Sequence, residues 1–164
     1  MNLLLEMFFL KIDGDYVHYF KTDEDITSSV KDPDKTVQGL IQNKFYETPR
    51  MIQEDYIIHS TSWRYEDGGE IVLTYIIYSD HLNFDTLECK TLKISDLRIS
   101  SNPDIKRPRP DVITEANVVA HAIRHICYLV NKEPVKYARV IKPVTLQACK
   151  LIENTLAGRI GNGE

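Results

Sequence analysis

The first half of the chain carries short apolar blocks separated by turn residues, which is the pattern of β-strands joined by hairpins. Residues 3–12 are mostly apolar, Asp13-Gly14-Asp15 follows, and residues 16–20 return to an apolar and aromatic pattern. An Asp-Gly pair readily takes the positive φ angles of a tight turn. The sequence therefore predicts a hairpin at this place.

A longer hairpin is predicted over residues 51–80. Its two strands, residues 52–65 and 70–79, flank the turn sequence Glu66-Asp67-Gly68-Gly69. Residues 71–78 read IVLTYIIY, and such a run of β-branched and aromatic side chains is typical of a central strand covered on both faces. A weaker strand pattern covers residues 87–94.

Three helices are predicted from capping residues and from apolar spacing. Asp32 and Pro33 are a suitable N-cap and first turn for a helix that runs to Phe45, with an apolar face that we expect to pack on the sheet. A third helix runs from residue 143 to residue 158. Between them, either Asp111 or Thr114 caps the longest helix, whose apolar stripe is Ile113, Ala116, Ala120, Ile123, Cys127 and Val130.

The order of these elements predicts an α+β fold. Strands come mostly first and helices mostly last, which favours an antiparallel or mixed β-sheet built from hairpins, with helices packed mainly on one face. We expect one domain over residues 1–164. Within it, the proline-rich residues 101–110 are a surface connection and residues 159–164 are a frayed tail.

Composition limits the classes of function. The hydrophobic fraction of 43% and the charged fraction of 27% are those of a water-soluble globular protein. A net charge of -4 disfavours nucleic-acid binding, and no apolar run is long enough to span a membrane. Three widely spaced cysteines suit a reducing compartment, so we expect a cytoplasmic protein.

The polar run His59-Ser60-Thr61-Ser62-Trp63-Arg64 stands out because it falls on a strand that should be central. Simple alternation places His59, Thr61, Trp63 and Tyr65 on one face and Ser60, Ser62 and Arg64 on the other. We interpret one face as the wall of a pocket in which Arg64 holds a small anionic ligand and the serines donate hydrogen bonds to it. Thr61 and Trp63 are further candidates for binding a ligand. The alternative is that Trp63 fills the core and Arg64 points into solvent.

Ser60 and Ser62 are candidate nucleophiles, with His59 as a candidate base. Neither serine lies in a G-x-S-x-G or S-x-x-K context, so the serines alone do not define an active site.

His121 and His125 are one helical turn apart, the spacing at which two imidazoles can bind one metal ion. Ala122 stands where a zinc protease would have glutamate, so the protease motif is absent. A third ligand would have to come from His59, His81 or Asp80. The alternative is a polar helix flank with no metal. No glycine-rich P-loop or dinucleotide fingerprint is present, and the sequence leaves the cofactor unknown.

Two functions remain open. The first is a module without catalysis that binds a small ligand or another protein, in which case a homodimer is one arrangement. The second is a small-molecule hydrolase that combines the region from His59 to Arg64 with the histidines of the long helix.

Overall fold

The computed structural model describes residues 2–26, 32–44, 53–85, 87–101, 112–156 and 160–162. The chain divides into two compact units. The first contains Met1–Lys11 and His18–Lys90, and the second contains Ile12–Val17 and Thr91–Glu164.

The described strands form a mixed five-stranded sheet and a separate two-stranded sheet. The order in the larger sheet is β3-β4-β1-β2-β5, in which β1 and β4 are parallel and β3 and β4 are antiparallel. Its strands are β1 Asn2–Asp13, β2 Tyr16–Asp25, β3 Ile57–Glu66, β4 Glu70–Tyr78 and β5 Lys90–Lys93. In the smaller sheet, β6 Ile99–Ser101 pairs in parallel with β7 Ile160–Asn162. Together with three helices, these strands confirm the predicted α+β fold with a mixed sheet built from hairpins.

Both predicted hairpin turns are present. Gly14, between β1 and β2, has a φ of 55°, and Gly68 and Gly69, between β3 and β4, have φ values of 106° and 83°. Side chains with a Cβ rarely adopt these angles, whereas glycine adopts them at little cost. The local turn chemistry therefore fixes where these strands reverse.

One face of the sheet carries the core of the first unit. Helix α1 spans Pro33–Lys44, and the predicted cap, Asp32, directly precedes it. The Asp32 carboxylate accepts a hydrogen bond of 3.0 Å from the Asp34 amide. Val37 and Ile41 of this helix are buried against residues of β1 and β4. The core cluster is Leu5, Met7, Phe9, Ile26, Val37, Ile41, Tyr56, Tyr75, Ile77, Leu82 and Phe84.

The second unit contains helices α2, Glu115–Lys132, and α3, Pro143–Leu156. Thr114 caps α2, and its side chain and that of Asn117 form a reciprocal capping box. The predicted stripe is buried from Ala120 onward, whereas Ile113 precedes the helix and is 41% exposed. The buried side chains of α2 are Val119, Ala120, Ala122, Ile123, Ile126, Cys127 and Val130.

Several predicted boundaries differ from the structure. A short 3-10 helix, Gln53–Asp55, precedes β3, and the strand predicted over residues 87–94 is limited to β5. Residues 160–162, in the stretch where we expect a frayed tail, form β7. Residues 51, 52 and 102–110 lie outside the described residues, so most of the predicted proline-rich connection cannot be compared. No helix among the described residues is both long and apolar enough to cross a lipid bilayer.

Candidate functional site

A β-bulge interrupts β3 within the polar run. Ser60 pairs with Tyr75 of β4 and Ser62 pairs with the next residue, Thr74, so Thr61 is an extra residue without a partner in the register. The Thr61 hydroxyl instead donates a hydrogen bond of 3.4 Å to the Thr74 carbonyl oxygen. Two residues of β3 therefore occupy the space that one would occupy in a regular strand.

The bulge changes which side chains share a face. Directly paired residues project to the same side of a sheet. Ser60 therefore shares a face with Trp63 and Tyr65, while His59 shares the opposite face with Ser62 and Arg64. The predicted alternation, which groups His59 with Trp63 and Ser60 with Arg64, is wrong because it assumes a strand without a bulge.

Arg64 forms an ionic cluster with residues of β1 and β4 in the first unit. Its Nη1 atom is 2.8 Å from Glu6 Oε2, and its Nη2 atom is 3.2 Å from Glu6 Oε1. Nη1 also donates to Thr74 Oγ1 at 3.2 Å, and Nε donates to the carboxylate of Glu66. Lys21 Nζ approaches Glu6 Oε1 at 3.1 Å. The Glu6 side chain therefore sits among two cations and the Thr74 hydroxyl, which donates to it at 2.9 Å.

The charges in this cluster stabilise one another. Burial raises the pKa of Glu6, but hydrogen bonds from Arg64, Lys21 and Thr74 outweigh burial, so the net pKa is lowered. Hydrogen bonds to Glu6 raise the pKa of Arg64 in turn. The guanidinium group thus already holds a carboxylate of its own chain in a bidentate pair. The anionic ligand predicted for Arg64 would have to compete with Glu6, and that ligand stays a prediction.

The candidate nucleophiles have different surroundings. Ser60 hydrogen-bonds to the Tyr75 phenol, whose hydroxyl donates to Asp34 Oδ1 at 2.6 Å. Burial and the carboxylate of Asp34 raise the pKa of Tyr75 to about 12, so the phenol stays protonated at neutral pH. Ser62 is exposed, on the same face as His59. Burial lowers the pKa of His59, which favours the neutral imidazole. The catalytic roles of these residues stay predictions.

Trp63 and Tyr65 lie on the surface and not in the core. Their side chains are 62% and 54% exposed, and their rings meet edge to face with centroids 5.4 Å apart. Their partners on β4, Leu73 and Ile71, are partly buried on the same face. We call these four residues the aromatic edge, because β3 is at one end of the strand order in the described sheet. The polar run marked this strand as unusual, but simple alternation did not predict that its aromatic residues are exposed to solvent.

The two histidines of α2 lie side by side. The rings of His121 and His125 have centroids 4.5 Å apart at an angle of 64°, and both side chains are half-buried. Within the described parts of the chain, no three histidine, cysteine or acidic side chains are grouped so that they could hold a metal ion. Among the predicted third ligands, Asp80 is buried and accepts a hydrogen bond of 2.7 Å from the Tyr78 hydroxyl. The backbone amide of His81 donates to the Ser79 hydroxyl. Metal binding by the histidine pair stays a prediction.

A cleft beside α1 was not predicted from the sequence. It has a volume of about 470 Å³. Its lining residues are Glu24, Asp32, Lys35, Thr36, Gly39, Leu40 and Asn43.

No protein-family model matches the chain, and no curated protein matches it significantly.

Proposed function

We propose that this protein is an interaction module without catalysis that binds an extended segment of another polypeptide at the aromatic edge. The observation that carries the proposal is the exposure of Trp63 and Tyr65, at 62% and 54% of their surface. Large aromatic side chains of this kind supply much of the binding energy in protein interfaces. An exposed pair that stabilises itself edge to face is already arranged for such contact.

The position of β3 supports strand addition as the mode of binding. A strand at the end of a sheet has backbone amide and carbonyl groups on its outer side that can pair with an incoming extended segment. The bulge at Thr61 interrupts this outer side, so the regular part of the edge is residues 62–66. An added strand would place alternate side chains over Trp63 and Tyr65.

The charges beside the aromatic edge favour a basic partner. Arg64 is neutralised by Glu6 and Glu66, while Asp67 and Glu70 add negative charge at the hairpin turn. A segment that alternates apolar and basic side chains would complement both the aromatic rings and these carboxylates. A second copy of the chain would bring the same carboxylates to the same place, so the homodimer is the less favoured occupant. A cytoplasmic location accompanies the proposal and rests on cysteine usage alone.

The test uses Trp63 as the reporter, because it is the sole tryptophan of the chain. Titration with a short synthetic peptide that alternates valine and lysine is expected to shift the tryptophan emission to shorter wavelength and to saturate. The Tyr65→Ser variant is expected to lose about 2 kcal/mol of binding free energy, which is roughly 30-fold in Kd. The matched control is Tyr128→Ser, which removes a tyrosine that is 51% exposed on α2 and should leave the affinity unchanged.

Three outcomes of the peptide titration would contradict the proposal. The first is no saturable emission change, and the second is equal weakening by the two tyrosine variants. The third is equally tight binding of a peptide in which glutamate replaces lysine. If light scattering instead shows a dimer that Tyr65→Ser dissociates, the occupant of the aromatic edge is a second copy and the proposed partner is wrong.

A further inference from the structure

Two cysteine side chains meet between α2 and α3 of the second unit. Cys127 and Cys149 are both 0% exposed, and their side chains hydrogen-bond to each other. Neither is part of the aromatic edge, so the inference drawn from them is independent of the proposed function. The third cysteine, Cys89, is exposed and belongs to the first unit.

The surroundings of the thiol pair are polar for a helix interface. The side-chain amide of Asn131 donates to the Cys149 carbonyl oxygen at 3.4 Å and also to the carboxylate of Glu153. The Oδ1 atom of Asn131 is buried and has no hydrogen-bond partner in the described structure. This part of the α2–α3 interface is therefore not simple apolar packing.

We propose that Cys127 and Cys149 are an oxidisable pair that forms an intramolecular disulfide between α2 and α3 when the protein meets a small-molecule disulfide. The two thiols lie on separate helices and hydrogen-bond to each other, so they are the pair between which a disulfide could form. The disulfide would covalently join two helices that otherwise are held by packing.

The exchange is balanced without any other reactant. One cysteine loses its proton to solvent, and its thiolate attacks a sulfur of the small disulfide, which releases one small thiolate. The second cysteine then loses its proton and attacks the mixed disulfide, which forms the Cys127–Cys149 bond and releases the second small thiolate. Two electrons pass from the cysteine pair to the oxidant, whose two sulfurs leave as thiols.

Burial controls the rate of this reaction. The hydrogen bond with Cys149, followed by burial, raises the pKa of the Cys127 thiol well above its ordinary value, so this thiol stays protonated while the helices are packed. Exchange then requires α3 to move away from α2 for a short time. We therefore expect Cys89 to react with a thiol reagent before the buried pair does.

The experiment exposes the whole chain to oxidised glutathione in the Cys89→Ser background. The expected product has no titratable thiol and no bound glutathione, and its mass is lower by two hydrogens. Peptide mapping should join the peptide containing Cys127 to the one containing Cys149. In the matched variants Cys127→Ala and Cys149→Ala, the mass loss of two hydrogens should be absent.

Equilibrium measurements test whether the native fold favours the disulfide between Cys127 and Cys149. In a glutathione buffer, half-reduction of the disulfide is expected to need roughly 10-fold more reduced glutathione in the native protein than in urea, because the fold holds the sulfurs together. Equal resistance in the two states would overturn the proposal. So would two thiols that remain reduced after prolonged oxidation, or a product that carries glutathione on both cysteines. None of these outcomes depends on the aromatic edge.

Discussion

Glu6 is a charged residue in the middle of a sheet, and only 4% of it is exposed. A carboxylate in such a place is stable only if its partners replace the water that it has lost. Arg64, Lys21 and Thr74 supply these partners from three other positions on the same sheet. At the scale of single residues, Arg64 of the polar run therefore neutralises Glu6, while Trp63 of the same run is exposed to solvent.

Replacing Arg64 with methionine should be strongly destabilising. The Arg64 side chain is 20% exposed, and its loss leaves Glu6 buried with Lys21 as its remaining cation. We expect the free energy of unfolding to fall by about 2–3 kcal/mol, somewhat less than for a fully buried pair. The double variant Glu6→Met with Arg64→Met should recover a large part of that loss. Urea unfolding followed by circular dichroism measures both effects.

The matched control is Lys136→Met, which removes the exposed ion pair with Glu133 and should change the stability little. A cost for Arg64→Met no greater than that for Lys136→Met would show that Glu6 does not need its partner.

The Glu6 cluster also predicts how stability depends on pH. The pKa of Glu6 is lowered in the folded state from the ordinary value of 4.5, so the unfolded chain binds the proton more readily. The cluster therefore contributes its full stability above pH 4.5 and loses it as the pH falls through the folded pKa. Thermal unfolding between about pH 3 and pH 6 should show a smaller loss of Tm on acidification in Glu6→Gln than in the natural chain. Burial lowers the pKa of His59 from 6.5, so the stability that the neutral imidazole contributes is also lost on acidification, but over a higher pH range. Parallel curves for the two proteins below pH 4.5 would contradict this role of Glu6.

At the scale of elements, turns and helix caps could be predicted from the sequence, whereas the pairing of distant strands could not. Gly14 and the Gly68-Gly69 pair located both hairpin turns, and Asp32 located the start of α1. For α2 the sequence left Asp111 and Thr114 as alternatives, and Thr114 is the cap in the structure. Each of these signals depends on residues a few positions apart, which is why a sequence pattern contains them. The parallel pairing of β1 with β4 joins residues far apart in the chain, and no local pattern specifies it beyond the general expectation of a mixed sheet.

The candidate site was predicted in part for the same reason. The unusual composition of residues 59–64 marked β3 as distinctive, but the bulge at Thr61 depends on the register with β4 and reversed the faces of His59 and Ser60. The position of β3 at one end of the described strand order is a property of the sheet, and the exposure of Trp63 is likewise seen only in the structure. The contact between Cys127 and Cys149 likewise needed the packing of two helices, which spacing in the sequence does not reveal.

At the scale of the whole molecule, the predicted single domain can be set against the two compact units. The chain passes between the units three times, at Lys11, at Val17 and at Lys90. The first two passages fall inside strands β1 and β2, so each of these strands contributes residues to both units. A strand that loses its order at one end disturbs the ladder of hydrogen bonds along its length. This connectivity favours one cooperative unfolding transition, as expected of a single small domain.

Each unit carries its own probe for this prediction. Trp63 fluorescence reports on the first unit, and the reactivity of Cys127 and Cys149 toward a brief pulse of alkylating reagent reports on the second. In the Cys89→Ser background, a single domain should give the same urea midpoint for both probes. Midpoints that differ by more than their error would show that the units unfold independently, and the chain would then contain two domains. The control is the Trp63→Phe variant, in which unfolding is followed by alkylation alone. Its midpoint should equal that of the chain that contains Trp63. Equal midpoints for the two probes indicate one transition only if each probe leaves the other unit unchanged.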